Sequence, residues 1–353
     1  MSAEKSPLPD RLEDPPAGEN KINRKAVALV SGGLDSALAI HLVKKQGIDV
    51  TAVHFTSFFS PLDIEDEDSP VRNLVRQLKV PLVLRPKGRD FLELIRNPKH
   101  GHGKNLNPCV DCRIYTLVKA RELMEEIGAS FLVTGEVAGQ RPMSQRKHTI
   151  RFIEKQAGCD GIVVRPLSAQ VLPESLPEKV GVLDRGRFLG ISGRGRKIQL
   201  KMAEEIGLQG YSTPAGGCLL TDKIYSRRLQ DLLDDTNEPS QDELDLLRFG
   251  RHIRLRAGLK IVVCRNEKEN VRLERSAPAG VMFFPVGFPG PLVWASGRPE
   301  PEEETRIASI LRRYSRPASR GDLIGIRETD AGERQISVTD VAEDDWIEAH
   351  MIR

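Results

Sequence analysis

Short apolar runs alternate with helix-like periodicity through the first half of the chain. Residues 26–30 (AVALV) form a continuous apolar run, which predicts a strand buried on both faces. Residues 36–45 (SALAIHLVKK) carry apolar side chains at spacings of three and four, which predicts a helix. The same patterns predict further strands at 50–55, 80–84, 131–134 and 162–167, and further helices at 70–78, 91–96 and 108–127. This alternation favours a doubly wound α/β domain, in which helices cover both faces of a parallel sheet.

The pattern changes after about residue 210. A turn-rich segment and a helical stretch are followed by strand-like pieces at 254–259, 260–264, 281–284, 292–295, 323–327 and 335–338. These predict a smaller C-terminal domain that is α+β or mostly β. We therefore divide the chain into a disordered tail (1–24), an α/β domain (25–225), a linker helix (226–245) and a C-terminal domain (246–353).

Composition narrows the class of protein. The length of 353 residues suits two domains, and the hydrophobic fraction of 39% supports packed cores. No run of eighteen apolar residues occurs and the first residues lack an apolar signal-peptide core, so we expect no membrane association. Five cysteines in a chain of this length argue against a disulfide scaffold. We expect a cytoplasmic protein.

Charge is nearly balanced, with 53 Lys and Arg against 50 Asp and Glu. Two segments, 185–201 and 248–260, nevertheless contain several basic residues and no acidic one. Such runs are either solvated faces or surfaces that bind phosphate groups. Charge alone does not decide between these two interpretations.

The clearest chemical signal is residues 31–36 (SGGLDS), between the first predicted strand and the first predicted helix. Gly32 and Gly33 let backbone N–H groups approach a ligand, and the helix N-terminus adds the positive end of its dipole. Ser31 and Ser36 supply hydroxyl donors. The segment is therefore suited to bind phosphate or pyrophosphate, although it matches neither the Walker A nor the G-x-G-x-x-G pattern. The alternative is an ordinary strand–turn–helix corner.

This hexapeptide resembles the signature of the PP-loop ATP pyrophosphatases, whose fold is of the adenine-nucleotide α-hydrolase type. The resemblance implies cleavage of ATP between its α- and β-phosphates, with Mg²⁺ present. It implies that the end of the second strand, including His54, lies against the adenosine, where His54 has a structural role. It also implies a pyrophosphate site made of Ser31, Gly32, Gly33, Asp35 and Ser36.

Three cysteines are evidence about the reaction that ATP cleavage would drive. Cys109 and Cys112 fall in the first turn of a predicted helix, with Asn107 as its N-cap, and the helix dipole there favours the thiolate. Cys218 follows two glycines in the turn-rich segment. Two of these thiols could carry a persulfide and resolve it as a disulfide, or all three could hold a [4Fe–4S] cluster. A zinc site completed by His100 or His102 is the third interpretation.

A PP-loop combined with C-x-x-C and a distant third cysteine resembles the tRNA thiouridine synthetases. Residues 134–140 (TGEVAGQ), 144–145 (SQ) and 165–167 (RPL) are similar to segments of the 4-thiouridine branch, whereas the cysteine arrangement is similar to the cluster-dependent 2-thiouridine branch. The resemblance implies that Gly135 and Gln140 lie near the nucleotide, with Glu136 as a further contact. It implies catalytic roles for Asp35, Cys109, Cys112 and Cys218.

The C-terminal domain carries a weaker resemblance. Residues 264–270 (CRNEKEN) are similar to the G-R-N-x-x-E-N of a predicted RNA-binding domain that is fused to thiolation enzymes, with Cys264 in place of glycine. The alternative for this segment is a charged hairpin turn. With tRNA as partner, we expect Arg194, Arg196 and Lys197 to hold RNA phosphates.

These observations together predict an ATP-dependent tRNA sulfurtransferase that releases AMP and pyrophosphate. The sulfur donor, sulfide or the persulfide of a cysteine desulfurase, stays open, as do the target uridine and the choice between monomer and homodimer. Two alternatives also remain. One is sulfur insertion or amidation on a small molecule, and the other is an ATP-bound RNA-binding or Fe–S-sensing protein without turnover.

Overall fold

The computed structural model describes residues 22–59, 67–212, 218–328 and 332–353. The predicted tail therefore lies almost entirely outside the described residues. The first region has strands β1 (Lys25–Leu29), β2 (Asp49–Thr56), β3 (Leu82–Pro86), β4 (Phe131–Thr134) and β5 (Val163–Val164). Its helices are α1 (Leu34–Lys44), α2 (Pro70–Leu78), α3 (Asp90–Arg96), α4 (Cys109–Glu126), α5 (Lys147–Gln156), α6 (Leu176–Lys179) and α7 (Lys197–Glu205).

The five strands form one parallel sheet in the order β3-β2-β1-β4-β5. Helices α1 and α2 pack on one face, where Leu34, Leu38 and Leu74 are fully buried, and α4 packs on the other through Leu117. The doubly wound α/β prediction is confirmed. Chain order reverses between β1 and β4, and ligands bind at such a switch point, outside the carboxyl ends of the strands.

The third strand begins two residues later than its apolar pattern predicts. The Val80 N–H bonds to the Val75 carbonyl at 3.1 Å and closes α2, with Lys79 in the left-handed conformation. Pro81 has no N–H to donate to a sheet. The strand therefore starts at Leu82, and Val80 serves the end of the helix instead.

Helices α8 (Lys223–Asp235) and α9 (Gln241–Leu246) occupy most of the segment predicted as a single linker helix. Leu229 and Leu232 of α8 pack with Leu244 of α9 and with Phe91 of α3 in one apolar cluster. Because their apolar faces are buried against the first region, these two helices form a packed layer.

The C-terminal region is α+β. Its strands are β6 (Arg251–Arg256), β7 (Leu259–Val263), β8 (Val281–Pro285), β9 (Val293–Ala295), β10 (Leu323–Glu328) and β11 (Gly332–Ser337). Its helices are α10 (Glu267–Ser276), α11 (Pro301–Tyr314) and α12 (Asp344–His350). The antiparallel sheet has the order β11-β10-β8-β9-β7-β6, and α11 covers one face through Ile307 and Ile310. The predicted strand at 254–259 is wrong in its bounds, because the chain turns at Gly258, where φ is +75°.

In the described part of the chain, we find no helix whose length and apolar character suit a membrane span.

Candidate nucleotide and sulfur-transfer site

The loop after β1 is held in place by its own polar groups. The Ser36 hydroxyl donates to the Gly33 carbonyl at 2.8 Å and accepts from the Ser31 N–H at 3.3 Å. Gly32 has φ of +78°, and a Cβ there would lie 3.1 Å from Cγ2 of Val71. Glycine is required at this position, since both the backbone conformation and the close approach of α2 exclude a side chain.

Asp35 lies in the first turn of α1 and faces the loop after β4. Its Oδ2 accepts from Gln140 Nε2 at 3.1 Å and lies 3.5 Å from Nη2 of Arg196. Its Oδ1 is buried and has no hydrogen-bond partner among the described residues. One carboxylate oxygen is thus held by two residues from distant parts of the chain, while the other is available to a cation or a water molecule.

Gly135 lies directly against the N-terminus of α1. A Cβ at this position would overlap the backbone carbon of Asp35 and the backbone nitrogen of Ser36. The adjacency of β1 and β4 brings the SGGLDS and TGEVAGQ segments into contact at the switch point, where such sheets have their ligand crevice. The structure therefore brings together Asp35, Gly135 and Gln140 as the sequence predicts.

Glu136 is fully buried and anchors the loop after β4 through two ion pairs. It pairs with Arg113 at 2.6 Å and with Arg165 at 3.0 Å, and Arg165 also pairs with Glu154. Burial alone would raise the pKa of Glu136, but the two guanidinium groups outweigh burial and lower it to about 2. The carboxylate is committed to this network, which favours a positioning role over the nucleotide contact expected from the sequence.

His54, on β2, has its ring Nδ1 2.8 Å from the Val30 carbonyl. Burial lowers the pKa of the imidazole below its usual value, so the ring is neutral near pH 7. This geometry supports the structural role expected of His54, because the ring braces the start of the loop at 31–36.

Cys109 and Cys112 open α4, and Cys218 lies nearby. The charges of the other two cysteines contribute to raising the pKa of Cys218, although burial is the larger cause, and the result is about 11. Burial also raises the pKa of Cys109, which opposes the thiolate that the helix dipole is expected to favour. The N-cap of α4 is Pro108 and not Asn107. Cys112 and Cys218 pack against the same apolar cluster, and Cys109 lies in the same first turn of α4 as Cys112.

Lys87 is a site residue that sequence reasoning missed. Its ammonium donates to Sγ of Cys112 at 3.2 Å and lies 4.2 Å from the centre of the Phe91 ring. An ammonium at this distance stabilises negative charge that develops on sulfur. The available signal was its position, since Lys87 directly follows β3 at the carboxyl edge of the sheet, where ligands gather.

The two histidines proposed as zinc ligands have other partners. His100 Nδ1 pairs with Asp111 at 2.7 Å, and His102 Nε2 lies 2.7 Å from the Ile95 carbonyl. Within the described residues, no group of three or more His, Cys, Asp or Glu side chains is arranged to hold a metal ion. As placed, the cysteines and the two histidines do not form a site for a single zinc ion.

Ser212 connects the loop at 31–36 with the segment that leads to Cys218. Its N–H and its hydroxyl both donate to the Gly32 carbonyl at 2.8 Å, and Gly33 pairs with Ser212 in a short parallel bridge. The carbonyl beside the proposed pyrophosphate site is therefore fixed by the chain that carries the third cysteine.

The two basic runs differ. In the first, Arg194 and Lys197 are exposed, whereas Arg196 turns inward to Asp35. In the second, Arg254 pairs with Asp231 at 2.6 Å and Arg256 pairs with Glu303 at 2.5 Å. Lys260 also pairs with Asp231, at 3.6 Å, so much of the positive charge of the second run is neutralised by acidic side chains.

Residues 264–270 begin a helix. The Asn266 side chain accepts from the Glu269 N–H at 3.1 Å and caps α10, while the Glu269 carboxylate accepts from Arg265. The hairpin-turn interpretation of this segment is therefore wrong.

Comparison with known proteins places two matches on the two regions. Residues 21–170 match the family model described as thiamine biosynthesis protein (ThiI). Residues 250–351 match the NFACT protein RNA binding domain.

Curated relatives match part of the chain. A probable tRNA sulfurtransferase of Thermococcus kodakarensis is 32% identical over 151 residues, which is 40% of this chain and 36% of the relative. A tRNA-specific 2-thiouridylase of Desulfosudis oleivorans is 31% identical over 119 residues, which is 32% of each chain. The chain thus spans about a third of the length of these relatives.

Among solved structures, a 4-thiouridine synthetase–RNA complex with bound ATP is 27% identical with a TM-score of 0.38, covering 52% of this chain and 40% of that one. The family matches confirm both resemblances: the first region is similar to the PP-loop tRNA thiouridine synthetases, and the C-terminal region is similar to a family of RNA-binding domains.

Proposed function

We propose that this chain catalyses ATP-dependent thiolation of a uridine in tRNA. The observation that carries the proposal is the crevice at the switch point, where Asp35, Gly135 and Gln140 meet beside a loop suited to pyrophosphate. The match of the same region to a family that contains tRNA sulfurtransferases supports it. The second region, similar to RNA-binding domains, favours RNA over a small molecule as substrate.

Adenylation is the first step. The uridine carbonyl oxygen attacks the α-phosphorus of ATP, a new P–O bond forms, and the bond to the β-phosphate breaks so that pyrophosphate leaves. Backbone N–H groups of residues 31–36 and the start of α1 bind the departing pyrophosphate. Arg196, which lies beside Asp35, adds positive charge at the same place.

Asp35 fits the Mg²⁺ that such a reaction uses. Mg²⁺ is bound through one or two carboxylates together with substrate phosphates, and Asp35 Oδ1 is a buried carboxylate oxygen without a partner among the described residues. The ion would supply charge neutralisation on the phosphates. Gln140 orients the carboxylate by donating to its other oxygen.

Sulfur transfer is the second step. Since the Lys87 ammonium contacts the sulfur of Cys112, we propose the persulfide route. An external persulfide first transfers its outer sulfur to one cysteine and leaves as a thiol. The resulting cysteine persulfide attacks the adenylated carbon and AMP leaves. A neighbouring thiol then breaks the S–S bond, which leaves sulfur on the base and a disulfide between the cysteines. An external thiol reductant restores the pair. Lys87 stabilises negative charge on Cys112 during this exchange.

RNA phosphates are proposed to bind Arg194 and Lys197. Both side chains are exposed, and they flank Arg196, which reaches Asp35. Basic side chains at this position hold the RNA backbone close to the crevice, as the transfer of a buried base into the pocket requires.

The test is a reaction under exclusion of oxygen with ATP, Mg²⁺, unmodified tRNA, a thiol reductant, and a cysteine desulfurase with cysteine as the persulfide donor. Nucleosides are then analysed by digestion and mass spectrometry, and AMP is measured in parallel. Wild type is expected to give AMP and a thiouridine. Asp35→Asn is expected to lower AMP formation about 100-fold or more, since one group that acts on transition-state charge is lost. Cys218→Ser is expected to keep AMP formation and abolish the thiouridine.

Cys264→Ala is the matched control, because Cys264 is buried in the C-terminal sheet cluster and is distant from the crevice. It is expected to retain both products. AMP without thiouridine from wild type would favour a small-molecule substrate, and neither product from folded protein would favour a binding role. Loss of AMP formation in Cys218→Ser would contradict the separation of the two steps. Iron and acid-labile sulfide analysis of the purified protein distinguishes the cluster alternative.

A further inference from the structure

The C-terminal region contains a cavity of about 590 Å³ that the proposed chemistry does not use. It lies on the face of the antiparallel sheet opposite to α11. On β8, Val281 and Phe283 point into the core beneath α11, while Met282 and Phe284 point to the other face and line the cavity. Helix α10 covers Trp294 on this face but leaves the β8–β10 part open. A volume of this size is typical of pockets for small ligands or ligand fragments.

The cavity is built around an aromatic ring that is held flat. Phe284 pairs with Gly325 across β8 and β10, and a Cβ on Gly325 would overlap the Phe284 ring. Glycine therefore lets the ring lie directly on the backbone of the neighbouring strand. Phe288 lies in the same way over Gly321, where a Cβ would be 2.6 Å from its ring. Both rings lie against glycines and line the cavity.

Charged groups surround these rings. The Arg327 guanidinium lies 5.2 Å from the centre of the Phe284 ring and is 46% exposed, although it also pairs with Glu333 at 2.5 Å. Glu267 and Glu274 of α10 line the opposite side of the cavity and are exposed. Aromatic and guanidinium planes stack on nucleobases, and carboxylates accept hydrogen bonds from exocyclic amino groups. The same carboxylates disfavour a phosphate in the cavity.

We propose that this cavity binds one unpaired nucleobase that carries an exocyclic amino group, stacked on Phe284. The proposal rests on the proposed function only for the identity of the RNA as tRNA. The similarity of residues 250–351 to RNA-binding domains supports RNA over an apolar peptide as the occupant. The base would anchor the tRNA at a point distinct from the crevice.

The test uses the full chain without ATP or sulfide, and measures binding of unmodified tRNA and of 12-nucleotide oligocytidine and oligouridine by fluorescence anisotropy. Phe284→Leu is expected to weaken binding of tRNA and oligocytidine about 5- to 150-fold, because base–aromatic stacking is lost. Phe284→Tyr keeps the ring and is expected to bind as wild type. Wild type is expected to bind oligocytidine more tightly than oligouridine, and Glu274→Gln is expected to reduce that preference.

Phe152→Leu is the matched control, because Phe152 is 41% exposed on α5 and lies outside the cavity. Thermal unfolding of each variant shows whether the sheet is intact. Equal tRNA affinity of wild type and Phe284→Leu would overturn the proposal, as would equal weakening by Phe284→Leu and Phe284→Tyr, or an absence of RNA binding by wild type. Binding that depends on Phe284 without any thiouridine formation would uphold the base site and overturn the proposed reaction.

Discussion

The two sheet-containing regions differ in whether their charged side chains have partners within the protein. At the crevice of the parallel sheet, Asp35 keeps one buried oxygen without a partner among the described residues. In the antiparallel region, Arg254 and Arg256 pair with acidic side chains, and the cavity on the open face of the sheet contains the rings of Phe284 and Phe288. A ligand of the first region would complete unpaired polar groups, whereas a ligand of the second would stack on rings.

The difference shows why charge along the sequence is a poor guide to binding surfaces. The run at 248–260 is as basic as the run at 185–201, yet Lys260 within it is buried beside Asp231 at 3.6 Å. Binding of an anionic ligand depends on the charged side chains that stay exposed and without an acidic partner after the chain has folded. The following substitutions test that distinction.

The largest loss of unfolding free energy is expected when the buried ion-pair network of Glu136 is broken. Glu136→Gln removes the carboxylate that Arg113 and Arg165 share, and breaking a buried ion pair costs about 3 to 5 kcal/mol of unfolding free energy. Urea denaturation measures it. Glu126→Gln is the matched control, because its pair with Arg85 is exposed and such pairs contribute about 0 to 1 kcal/mol.

The same network predicts a pH dependence. The pKa of Glu136 falls from 4.5 to about 2 in the folded chain, so its contribution to stability is complete above pH 4.5 and is lost as the pH falls toward 2. Glu136→Gln should therefore be less sensitive to acid over this range than wild type. Parallel acid-unfolding curves for the two proteins would contradict the assignment.

A smaller loss of unfolding free energy is expected from Gly135→Ala. The added methyl group overlaps the backbone at the start of α1, and overpacking of this kind costs about 1 to 3 kcal/mol. ATP binding should weaken as well, because the two loops of the crevice are forced apart. Gly195→Ala is the control for stability, since a Cβ there meets nothing within 4 Å. Equal melting temperatures of the two variants would count against the close approach of the loops.

The smallest effect on tRNA affinity is expected from a substitution in the second basic run, residues 248–260. Arg256→Ala should leave tRNA affinity and its salt dependence unchanged, because Arg256 is paired with Glu303. Arg194→Ala should weaken tRNA binding and reduce the slope of log affinity against log salt by about 1, as expected for one lost phosphate contact. Filter binding over a range of salt concentrations measures both. A reduced slope for Arg256→Ala alone would reverse the comparison.

Much of the parallel region could be predicted, because strands buried on both faces leave continuous apolar runs. The strand at 131–134 and the helix at 70–78 have the bounds expected from the sequence. The helix at Pro301–Tyr314 was not predicted, although its Ile307, Ile310 and Leu311 follow helical spacing. Residues 254–264 were divided incorrectly, because a turn at Ala257 and Gly258 interrupts an otherwise strand-like composition.

The sequence predicts those parts of the candidate site that depend on neighbouring residues. Glycines and hydroxyls of residues 31–36 act through the backbone next to them, so a short motif suffices. The contacts of Lys87 with Cys112, of Arg196 with Asp35 and of Arg113 with Glu136 join residues 23 to 161 positions apart. Such pairs depend on strand order, which the alternating pattern does not determine.

The double hydrogen bond from Ser212 to Gly32 also sets a length. Cys218 follows Ser212 by six residues, and a fully extended chain spans about 3.3 to 3.6 Å per residue. Cys218 therefore lies no more than about 20 Å from Ser212, which is hydrogen-bonded to the loop at 31–36. While these hydrogen bonds hold, the chain length alone keeps the third cysteine within that distance of the proposed pyrophosphate loop.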